Sequence, residues 1–313
     1  MAINLGYPCI CLSLSKNLPR GQEKVTTNRS MIKRTYLQKG VAYASELSLK
    51  NCEDLEKIIE WNEQNNIKFF RMSSELFPWA SEHGIKALPD YERIAEVLHR
   101  AGNKAKQYGQ RLSFHPGPFN VLTSDKEKVV LNTIKDLSIH GEVMDLLDQP
   151  RTPYAKINIH VGATYGDKPA ALARFCENFH RLPESVKTRL TVENDDRASM
   201  YSTRELVEKV HSRIGIPVVH DAHHHTFCPG GLSNKDALGF AIKTWGDVKP
   251  VMHYSQSRAE EQGDPSIMAK AHSDSYWLPV ETYGYDVDVM LECKWKEQGL
   301  FKMRELLKEN NNA

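Results

Sequence analysis

Histidine and acidic side chains recur at the ends of short β-rich runs along this sequence. Six of these residues are potential metal ligands at or near the carboxyl end of a run: His115, His160, Glu193, Asp221, His253 and Glu292. Imidazole and carboxylate groups together suit Zn²⁺, Mn²⁺ or Fe²⁺. Because buried carboxylates repel one another, several of them in one place would require cations. Two such ions can activate water and stabilise the leaving oxygen of a phosphate ester, so the pattern indicates metal-dependent phosphoryl chemistry.

A further group of histidines follows the sixth β-rich run, where residues 221–225 read Asp-Ala-His-His-His. Asp221 and His224 are three residues apart, a spacing that suits a short turn beside two neighbouring metals. Not every histidine here can be a ligand, and we expect His223 or His225 to support a ligand from outside the coordination sphere. The segment therefore adds His224 to the candidate ligands.

Two other histidines lie in loops that follow β-rich runs. His272 comes after the seventh run and is a plausible further ligand. His83 comes after the second run and could be either a ligand or a phosphate contact. Taken singly, a histidine in such a place is more often a hydrogen-bonded or solvated side chain, so both assignments depend on the fold.

The β-rich runs alternate with longer helical stretches over the whole sequence. The eight runs are 3–12, 67–73, 111–115, 156–161, 189–193, 216–221, 250–255 and 287–292. Eight β/α units that close on themselves form a (β/α)8 TIM barrel, in which the carboxyl ends of all strands meet at one mouth. We therefore predict an α/β, single-domain TIM barrel over residues 1–309, followed by a disordered tail at 310–313. The alternative is a doubly wound open sheet, which would normally have a glycine-rich phosphate loop after the first strand, and residues 6–9 form no such loop.

One strongly basic segment, residues 16–39, follows the first predicted strand. It has seven lysines and arginines, among them Arg29, Lys33 and Arg34, and a single acid, Glu23. In a barrel this segment lies over the mouth, where it could contact phosphates. A solvated loop without a binding role is the alternative that charge alone leaves open.

The composition is that of a globular protein with nearly balanced charge. The 313 residues include 41 basic and 40 acidic ones, a net charge of +1, so any basic surface must be local. No apolar run approaches the ~20 residues that span a bilayer, and residues 1–6 lack the features of a signal peptide. The scattered cysteines indicate free thiols in a reducing compartment, and we expect Cys9 and Cys11 to pack on one face of the first strand. These features predict a cytoplasmic or nucleoid-associated protein without a membrane segment.

In the order and spacing of its motifs, the chain resembles the UV damage endonucleases, a DNA repair family. The segments that carry the resemblance are 6–9 (GYPC), 71–74 (RMSS), 78–81 (PWAS), 115–117 (HPG), 160–162 (HVG) with 165–166 (YG), 192–195 (VEND), 221–225 (DAHHH), 253–256 (HYSQ), and 292–294 (ECK) with 296–298 (KEQ). This family is similar in fold and metal arrangement to the endonuclease IV abasic-site enzymes. The resemblance implies a barrel that binds divalent ions, often Mn²⁺, and nicks damaged double-stranded DNA immediately 5′ to a lesion, leaving a 3′-hydroxyl.

The resemblance also implies roles for particular residues. The metal ligands that it implies, for about two or three ions of Mn²⁺ or alternatively Zn²⁺, are His115, His160, Glu193, Asp221, His224, His253, His272 and Glu292. Glu193 would be the bridging carboxylate and a catalytic residue, and His83 would act close to the metals. Tyr7 would reach toward the damaged bases or the flanking backbone. Nothing in the sequence suggests an obligate dimer, so we expect a monomer.

The chain departs from the family pattern at three places. Pro118 and Phe119 follow the His-Pro-Gly motif, where the family usually has glutamine and an aromatic residue that probe the strand opposite the lesion. Phe119 could still wedge between bases, whereas Pro118 offers no side-chain hydrogen bond. Val251 replaces a lysine that some members carry two residues before the histidine of the seventh strand. Lys270 stands where the endonuclease IV pattern has an aspartate, which would weaken or remove a third metal.

The leading hypothesis is therefore a lesion-directed, metal-dependent DNA endonuclease. An abasic-site endonuclease is a close alternative. A sugar isomerase or epimerase of the same fold would also gather acids and histidines around divalent metals. The remaining alternative is a lesion-binding protein that no longer cuts, and the presence of His115, Glu193, Asp221 and Glu292 counts against it.

Overall fold

A computed structural model describes residues 3–311 of the chain, and the side chains of residues 3–310. Parallel strands form one sheet, which closes almost completely into a barrel. The strands are β1 (Leu5–Pro8), β2 (Phe69–Arg71), β3 (Arg111–Ser113), β4 (Ile157–His160), β5 (Leu190–Glu193), β6 (Val218–Asp221), β7 (Val251–Tyr254) and β8 (Asp288–Leu291). Their order is β3-β2-β1-β8-β7-β6-β5-β4, and an isolated parallel bridge between Phe114 and Ile157 joins the two ends. The predicted (β/α)8 barrel is confirmed, and the open doubly wound alternative is wrong.

Helices surround the barrel and connect its strands. They are α1 (Leu12–Ser15), α2 (Lys33–Gln64), α3 (Ala80–His83), α4 (Tyr91–Gln107), α5 (Glu127–Leu146), α6 (Lys168–Phe179), α7 (Glu184–Lys187), α8 (Thr203–Leu206), α9 (Ser212–Ile214), α10 (Ala222–Phe227), α11 (Asn234–Ile242), α12 (Arg258–Gln262) and α13 (Lys296–Asn311). Helix α13 continues through residues 310 and 311, which the sequence assigned to a tail, and residues 312–313 lie outside the described residues. Within residues 3–311, no helix is long and apolar enough to cross a membrane.

Helix α4 illustrates how the outer helices pack. Its buried apolar residues recur every three or four positions, which places them on one face: Ile94, Val97, Leu98, Ala101 and Ala105. Gly102 lies among them, and a Cβ atom at this position would come within 1.9 Å of the carbonyl oxygen of Leu147, just beyond α5. The glycine therefore permits a close approach between α4 and the end of α5.

The first strand is shorter than the β-rich run predicts. It ends at Pro8, because Cys9 adopts a left-handed backbone conformation (φ 69°) and the following residues lead into α1. Cys9 and Cys11 therefore lie beyond the strand, and the prediction that they share one of its faces is wrong. Cys11 is nevertheless buried in the core, and every cysteine is a free thiol, as predicted.

The basic segment 16–39 is only partly a loop. Its last seven residues, 33–39, form the first turns of α2, before non-helical backbone at Gly40 (φ 66°, ψ −161°) interrupts the helix. Glycine tolerates this positive φ without a steric penalty. Apolar residues alternate with charged ones at helical spacing over residues 53–65, a pattern that predicts a helix there. The long second part of α2 covers this stretch up to its last helical residue, Gln64, and packs against α4.

Candidate metal centre

The predicted ligands lie at the carboxyl ends of six strands, as the barrel requires. His160, Glu193 and Asp221 are the last residues of β4, β5 and β6, respectively. His253 lies one residue before the end of β7, and Glu292 follows β8 directly. His115 lies two residues beyond β3, and His224 lies in the short helix α10 that follows β6. The closure of the barrel therefore brings these residues to one mouth.

These side chains form three groups whose ligand atoms are close enough to share a metal ion. The groups are His115–Glu193–His253, His160–Glu193–His224 and Asp221–His253–Glu292, and within each group the atoms lie within 4.8 Å of one another. Glu193 and His253 each belong to two groups. The predicted ligands thus come together, with the exception of His272.

Glu193 lies at the centre of this arrangement and is almost completely buried, with 1% of its side chain exposed. Its Oε2 atom lies 3.1 Å from Nε2 of His115 and 3.0 Å from Nδ1 of His253, and it accepts a hydrogen bond from the Asn158 amide. Burial would raise the pKa of Glu193, but the adjacent imidazoles of His253, His115 and His160 outweigh it and hold the pKa well below its usual value. The carboxylate is therefore ionised.

Several buried polar atoms at the mouth accept or donate no hydrogen bond within residues 3–310. They are Oε1 of Glu193, Oδ2 of Asp221, Nδ1 of His160 and Nδ1 of His253. Leaving such atoms unpaired costs free energy, so a cluster of them calls for an explanation. Divalent cations bind carboxylate oxygens and imidazole nitrogens of this kind. The donor set therefore fits a metal centre.

The two histidines nearest each other at the mouth differ in charge. The ring centroids of His115 and His160 are 5.4 Å apart. Burial lowers the pKa of His115 to about 4, so this ring is neutral at physiological pH. Burial would also lower the pKa of His160, but the carboxylates of Asp195, Glu193 and Asp221 outweigh it and raise the pKa to about 10. A metal ion would displace the proton of His160, because a ligating imidazole is neutral.

The cluster also contains an arginine, which the sequence did not single out as a site residue. Arg71, the last residue of β2, forms an ion pair with Glu292. Burial would raise the pKa of Glu292, but Arg71 and His253 hold it well below its usual value. The signal was present in the sequence, since Arg71 ends a predicted strand and begins one of the family motifs.

Polar residues within the strand runs also hydrogen-bond the candidate ligands. The sequence did not single these residues out. Lys156, Asn158 and His160 alternate with isoleucines, the pattern that places their side chains on the inner face of the barrel. Asn158 donates a hydrogen bond to Glu193. The side-chain amide of Asn194 donates to the carbonyl oxygen of Asp221 (3.0 Å) and accepts from the backbone N–H of the same residue (2.8 Å).

Lys156 is completely buried, and its Nζ atom lies 3.1 Å from Nε2 of His253. Burial lowers the pKa of Lys156 to about 7, although Glu193 opposes this change. Val251, the position at which some family members carry a lysine, is buried in β7. In this chain, the lysine that reaches His253 comes instead from the residue before β4.

Two predicted histidines stand apart from the three ligand groups. His272 bonds the carbonyl oxygen of Glu292 through Nδ1 (2.8 Å), and the same atom lies 3.8 Å from Oε2 of Glu292. His83 ends α3, and its ring stacks on Tyr36 with a centroid distance of 6.1 Å. Among the described residues, neither contributes to a group of three ligand atoms. Their roles at the centre remain predictions.

Tyr7 cannot contact DNA in this structure, and that prediction is corrected. Its side chain has no exposed surface, and its hydroxyl donates a hydrogen bond to Oδ1 of Asn62 (2.8 Å). Tyr7 packs against Phe70 between β1 and the helix layer. The residue therefore stabilises the contact between β1 and α2.

Some of the predicted DNA-contacting side chains are exposed, whereas others are bonded to the protein itself. The Phe119 side chain is 88% exposed beside Pro118, in the loop after β3. Lys33 and Arg34 are exposed in the first turn of α2, whose Tyr36 stacks on Trp79 in the loop after β2 (4.8 Å). This contact places the basic turn at the mouth.

Arg29, by contrast, is held by the protein itself. Its guanidinium forms an ion pair with Asp54 (2.7 Å) and donates to the carbonyl oxygens of Thr26 and Lys24. These bonds show that Arg29 fixes the segment before α2. Its assignment as a DNA-binding residue stays a prediction.

A groove of about 420 Å³ adjoins the ligand groups. Its lining includes Pro118, His160, His224, Arg197 and Lys270. Lys270 forms a 2.8 Å ion pair with Asp196 across the groove, between the loops that follow β7 and β5. The lysine that departs from the endonuclease IV pattern thus neutralises an acid beside His224.

The fold and the site together define the class of protein: an eight-stranded parallel barrel with a candidate divalent-metal centre at its mouth. The chain belongs to the UV-endonuclease UvdE family, whose model matches residues 3–312. This membership confirms the resemblance seen in the sequence.

Individual relatives support the same assignment. A UV-damage endonuclease of Neurospora crassa is 37% identical over 284 residues, covering 86% of this chain and 42% of that protein. One of Schizosaccharomyces pombe is 33% identical over 310 residues, covering 96% and 50%. The UV DNA damage endonuclease of Clostridium perfringens is 34% identical over 300 residues, covering 92% and 70%. The chain thus spans half or less of the length of the two fungal relatives.

Solved structures agree with the fold. The crystal structure of SacUVDE is 30% identical, has a TM-score of 0.82 and covers 100% of both chains. The 3-keto-D-glucoside 4-epimerase YcjR of E. coli has a TM-score of 0.56 at 10% identity. This second likeness concerns the barrel alone.

Proposed function

We propose that this chain is a metal-dependent DNA repair endonuclease that nicks the phosphodiester immediately 5′ to UV photoproducts or related lesions. The observation that carries the proposal is the convergence of the predicted ligands into three groups that share Glu193 and His253. Membership of the UvdE family and the printed names of its relatives support DNA damaged by UV light as the substrate.

The centre would bind about two or three divalent ions, with Mn²⁺ expected and Zn²⁺ the alternative. The residues that would hold them are His115, His160, Glu193, Asp221, His224, His253 and Glu292, with His272 as a further ligand. Glu193 would bridge two ions, since it belongs to two groups. When bound, such ions lower the pKa of water and stabilise negative charge on a phosphoryl group.

The remaining parts of the mouth would bind and orient the DNA. Lys33 and Arg34 would contact phosphates, because they are exposed and form no ion pair among the described residues. Phe119 would wedge into the base stack as an exposed apolar side chain, while Pro118 offers no side-chain donor to the opposite strand. Lesions already disturb base pairing, so unstacking the damaged nucleotides costs less than unstacking intact ones. We expect the chain to act on damaged double-stranded DNA as a monomer.

The test uses one duplex sequence in three forms: with a single pyrimidine dimer, with an abasic site and undamaged. We expect Mn²⁺-dependent nicking of the dimer duplex directly 5′ to the lesion, with a product that a polymerase can extend from its 3′-hydroxyl. Chelation of the metal should abolish the product.

Other outcomes would contradict this proposal. Equal cutting, or no cutting, of damaged and undamaged duplex would overturn lesion-directed nicking. Cleavage of the abasic duplex alone would identify an abasic-site endonuclease. Activity on a ketose without DNA binding would identify a sugar isomerase or epimerase.

A further inference from the structure

A second cavity, the rim cavity, lies beside the loop that carries Phe119. Its outer part has a volume of about 450 Å³ and adjoins an inner part of about 150 Å³. The outer volume lies within the range of about 300–1,000 Å³ that is typical of ligand pockets. The residues that line both parts are Ser74, Glu75, Ser81, Asp136 and His140.

Two of the motifs that carry the family resemblance form one wall of the rim cavity. Ser74 belongs to motif 71–74, and Trp79 and Ser81 belong to motif 78–81. The proposed function gives these side chains no role. The opposite wall comes from α5, which packs against α3, and Phe119 lines the outer part. A base that this proposed wedge displaced from the duplex would therefore arrive beside the cavity.

His140, which lines both parts of the cavity, has a ring nitrogen that forms no hydrogen bond. Its side chain is only 6% exposed and lies edge-on to the ring of Phe114 (4.9 Å between centroids). Nδ1 lies 2.9 Å from the carbonyl oxygen of Asp136 and must donate to it, because a carbonyl oxygen only accepts. Nε2 of the neutral ring is then an acceptor. It has no partner within residues 3–310, and buried polar atoms are rarely left unpaired.

Further acceptors surround the same cavity. Oδ1 of Asn120 is buried and also without a partner within residues 3–310, while the amide nitrogen of this residue donates to Asp136 (2.9 Å). The carboxylates of Glu75, Glu82 and Asp136 line the outer part, against a single basic residue, Lys135. Carboxylates repel phosphate groups. The cavity therefore favours a neutral ligand that donates hydrogen bonds.

A nucleobase with an exocyclic amino group has this chemistry. Adenine carries the N6 amino group as a donor, whereas thymine presents the O4 acceptor and a methyl group at the corresponding edge. Adenine is also the base that faces a damaged thymine in a duplex. Proteins that extrude bases bind them in pockets through hydrogen bonds and stacking.

We propose that the rim cavity binds an adenine of the undamaged strand that Phe119 displaces from its place opposite the lesion. In this complex, Nε2 of His140 accepts a hydrogen bond from the N6 amino group. The inference rests on the lesion-directed DNA binding of the proposed function, but not on its metals or its cutting step. Displacement costs less opposite a pyrimidine dimer, where pairing is already disturbed. The cavity thus adds a contact that favours damaged over intact duplex.

The test measures the affinity of the full-length, Mn²⁺-loaded chain for dimer-containing duplexes by fluorescence anisotropy. A non-hydrolysable phosphonate directly 5′ to the dimer keeps the negative charge and prevents cutting. In one duplex, purine bases without the amino group replace the adenines that face the dimer. In the matched duplex, the same replacement is made at two adenines in the flank.

We expect the wild type to bind the first duplex about 2- to 10-fold more weakly than the matched one, the effect of losing one hydrogen bond. Weaker pairing opposite the dimer would act in the other direction, because it makes displacement easier. A loss of affinity therefore reports a contact with the amino group.

Variants of His140 connect this preference to the rim cavity. His140→Phe keeps the edge contact with Phe114 but removes the acceptor, so it should lose the preference for adenine opposite the dimer. His140→Gln, whose amide oxygen can replace Nε2 as acceptor, should recover it. His180→Phe is the matched control, since His180 is exposed at the end of α6, and it should behave as the wild type. Equal Mn²⁺ binding by all variants checks that the mouth is intact, because His140 belongs to none of the ligand groups.

Equal affinities of the wild type for the two modified duplexes would overturn this inference and leave the proposed function standing. The inference also fails if His140→Phe keeps the preference for adenine. If that variant then lost affinity for every dimer duplex alike, the cavity would bind the damaged base instead. A wild type that bound dimer-containing and undamaged duplex equally would contradict the proposed function itself.

Discussion

At the scale of single residues, the candidate centre depends most on the carboxylate of Glu193. This side chain is buried, ionised and common to two of the three ligand groups. The groups closest to its carboxylate are the imidazoles of His115 and His253, and its negative charge would be needed to hold a cation between them. Removing that charge would take a ligand from two groups at once.

Replacing Glu193 with glutamine should therefore abolish nicking while preserving the fold. The side chain keeps its size and can still accept the Asn158 hydrogen bond. We expect the rate on the dimer-containing duplex to fall by more than about 100-fold, since even loss of a supporting partner costs about 10- to 100-fold. Gel quantification of the nicked strand measures the rate, and circular dichroism checks the fold.

Glu208→Gln is the control for this variant, because Glu208 is exposed on the helical segment that follows α8. It should nick at the wild-type rate. Wild-type activity in Glu193→Gln would mean that this carboxylate binds no essential ion.

Residue types at strand ends were enough to predict most members of the candidate cluster, because a parallel barrel brings those ends together. Tyr7 was misassigned for a physical reason: its motif lies near the mouth, but the direction of its side chain depends on the packing of β1 against α2. Lys156 was missed because its partner is far away in sequence. Contacts across a barrel interior depend on the register of strands that one sequence does not reveal.

At the scale of elements, the basic segment 16–39 combines two different tasks. Arg29 is bonded to Asp54 of α2 and anchors the segment. Lys33 and Arg34 lie exposed in the first turn of α2. Positive charge near a helix N-terminus is unfavourable for the helix itself, so these two residues are more consistent with a binding role than with stabilisation.

The double variant Lys33→Ala with Arg34→Ala should bind DNA more weakly without losing stability. Loss of about two phosphate contacts should reduce the slope of log K against log salt by about 2. Fluorescence anisotropy over a series of salt concentrations measures this slope, with thermal unfolding in parallel.

Arg29→Ala is the contrasting variant, since it should lower the unfolding temperature through loss of the Asp54 pair. An unchanged salt slope in the double variant would show that the turn is merely solvated.

The number and order of the strands could be predicted from the sequence, whereas the ends of the elements could not. The first strand ends at Pro8 because the next residue, Cys9, has a left-handed backbone, and α2 begins well before the helix that the sequence predicts at residues 53–65. Local backbone conformations of this kind depend on tertiary contacts, such as the bond from the Cys9 amide to the Arg71 carbonyl (2.7 Å). Periodicity in the sequence carries little information about them.

At the scale of the whole molecule, the net charge is only +1. Any strongly charged or metal-binding surface must therefore be local. The closed barrel brings together candidate ligands that lie between residues 115 and 292 in the sequence. Overall charge would contribute little to DNA binding, so local groups at the mouth would carry it. The candidate site therefore arises from the fold, because the composition alone gives no indication of nucleic acid.

The central claim is that this mouth binds metal, and metal analysis tests it most directly. The wild-type chain is loaded with Mn²⁺, freed of unbound ions by gel filtration and measured by atomic emission against its protein concentration. We predict about two or three ions per chain. Fewer than about one ion per chain, in a correctly folded protein, would contradict the metal centre and the nuclease proposal that depends on it.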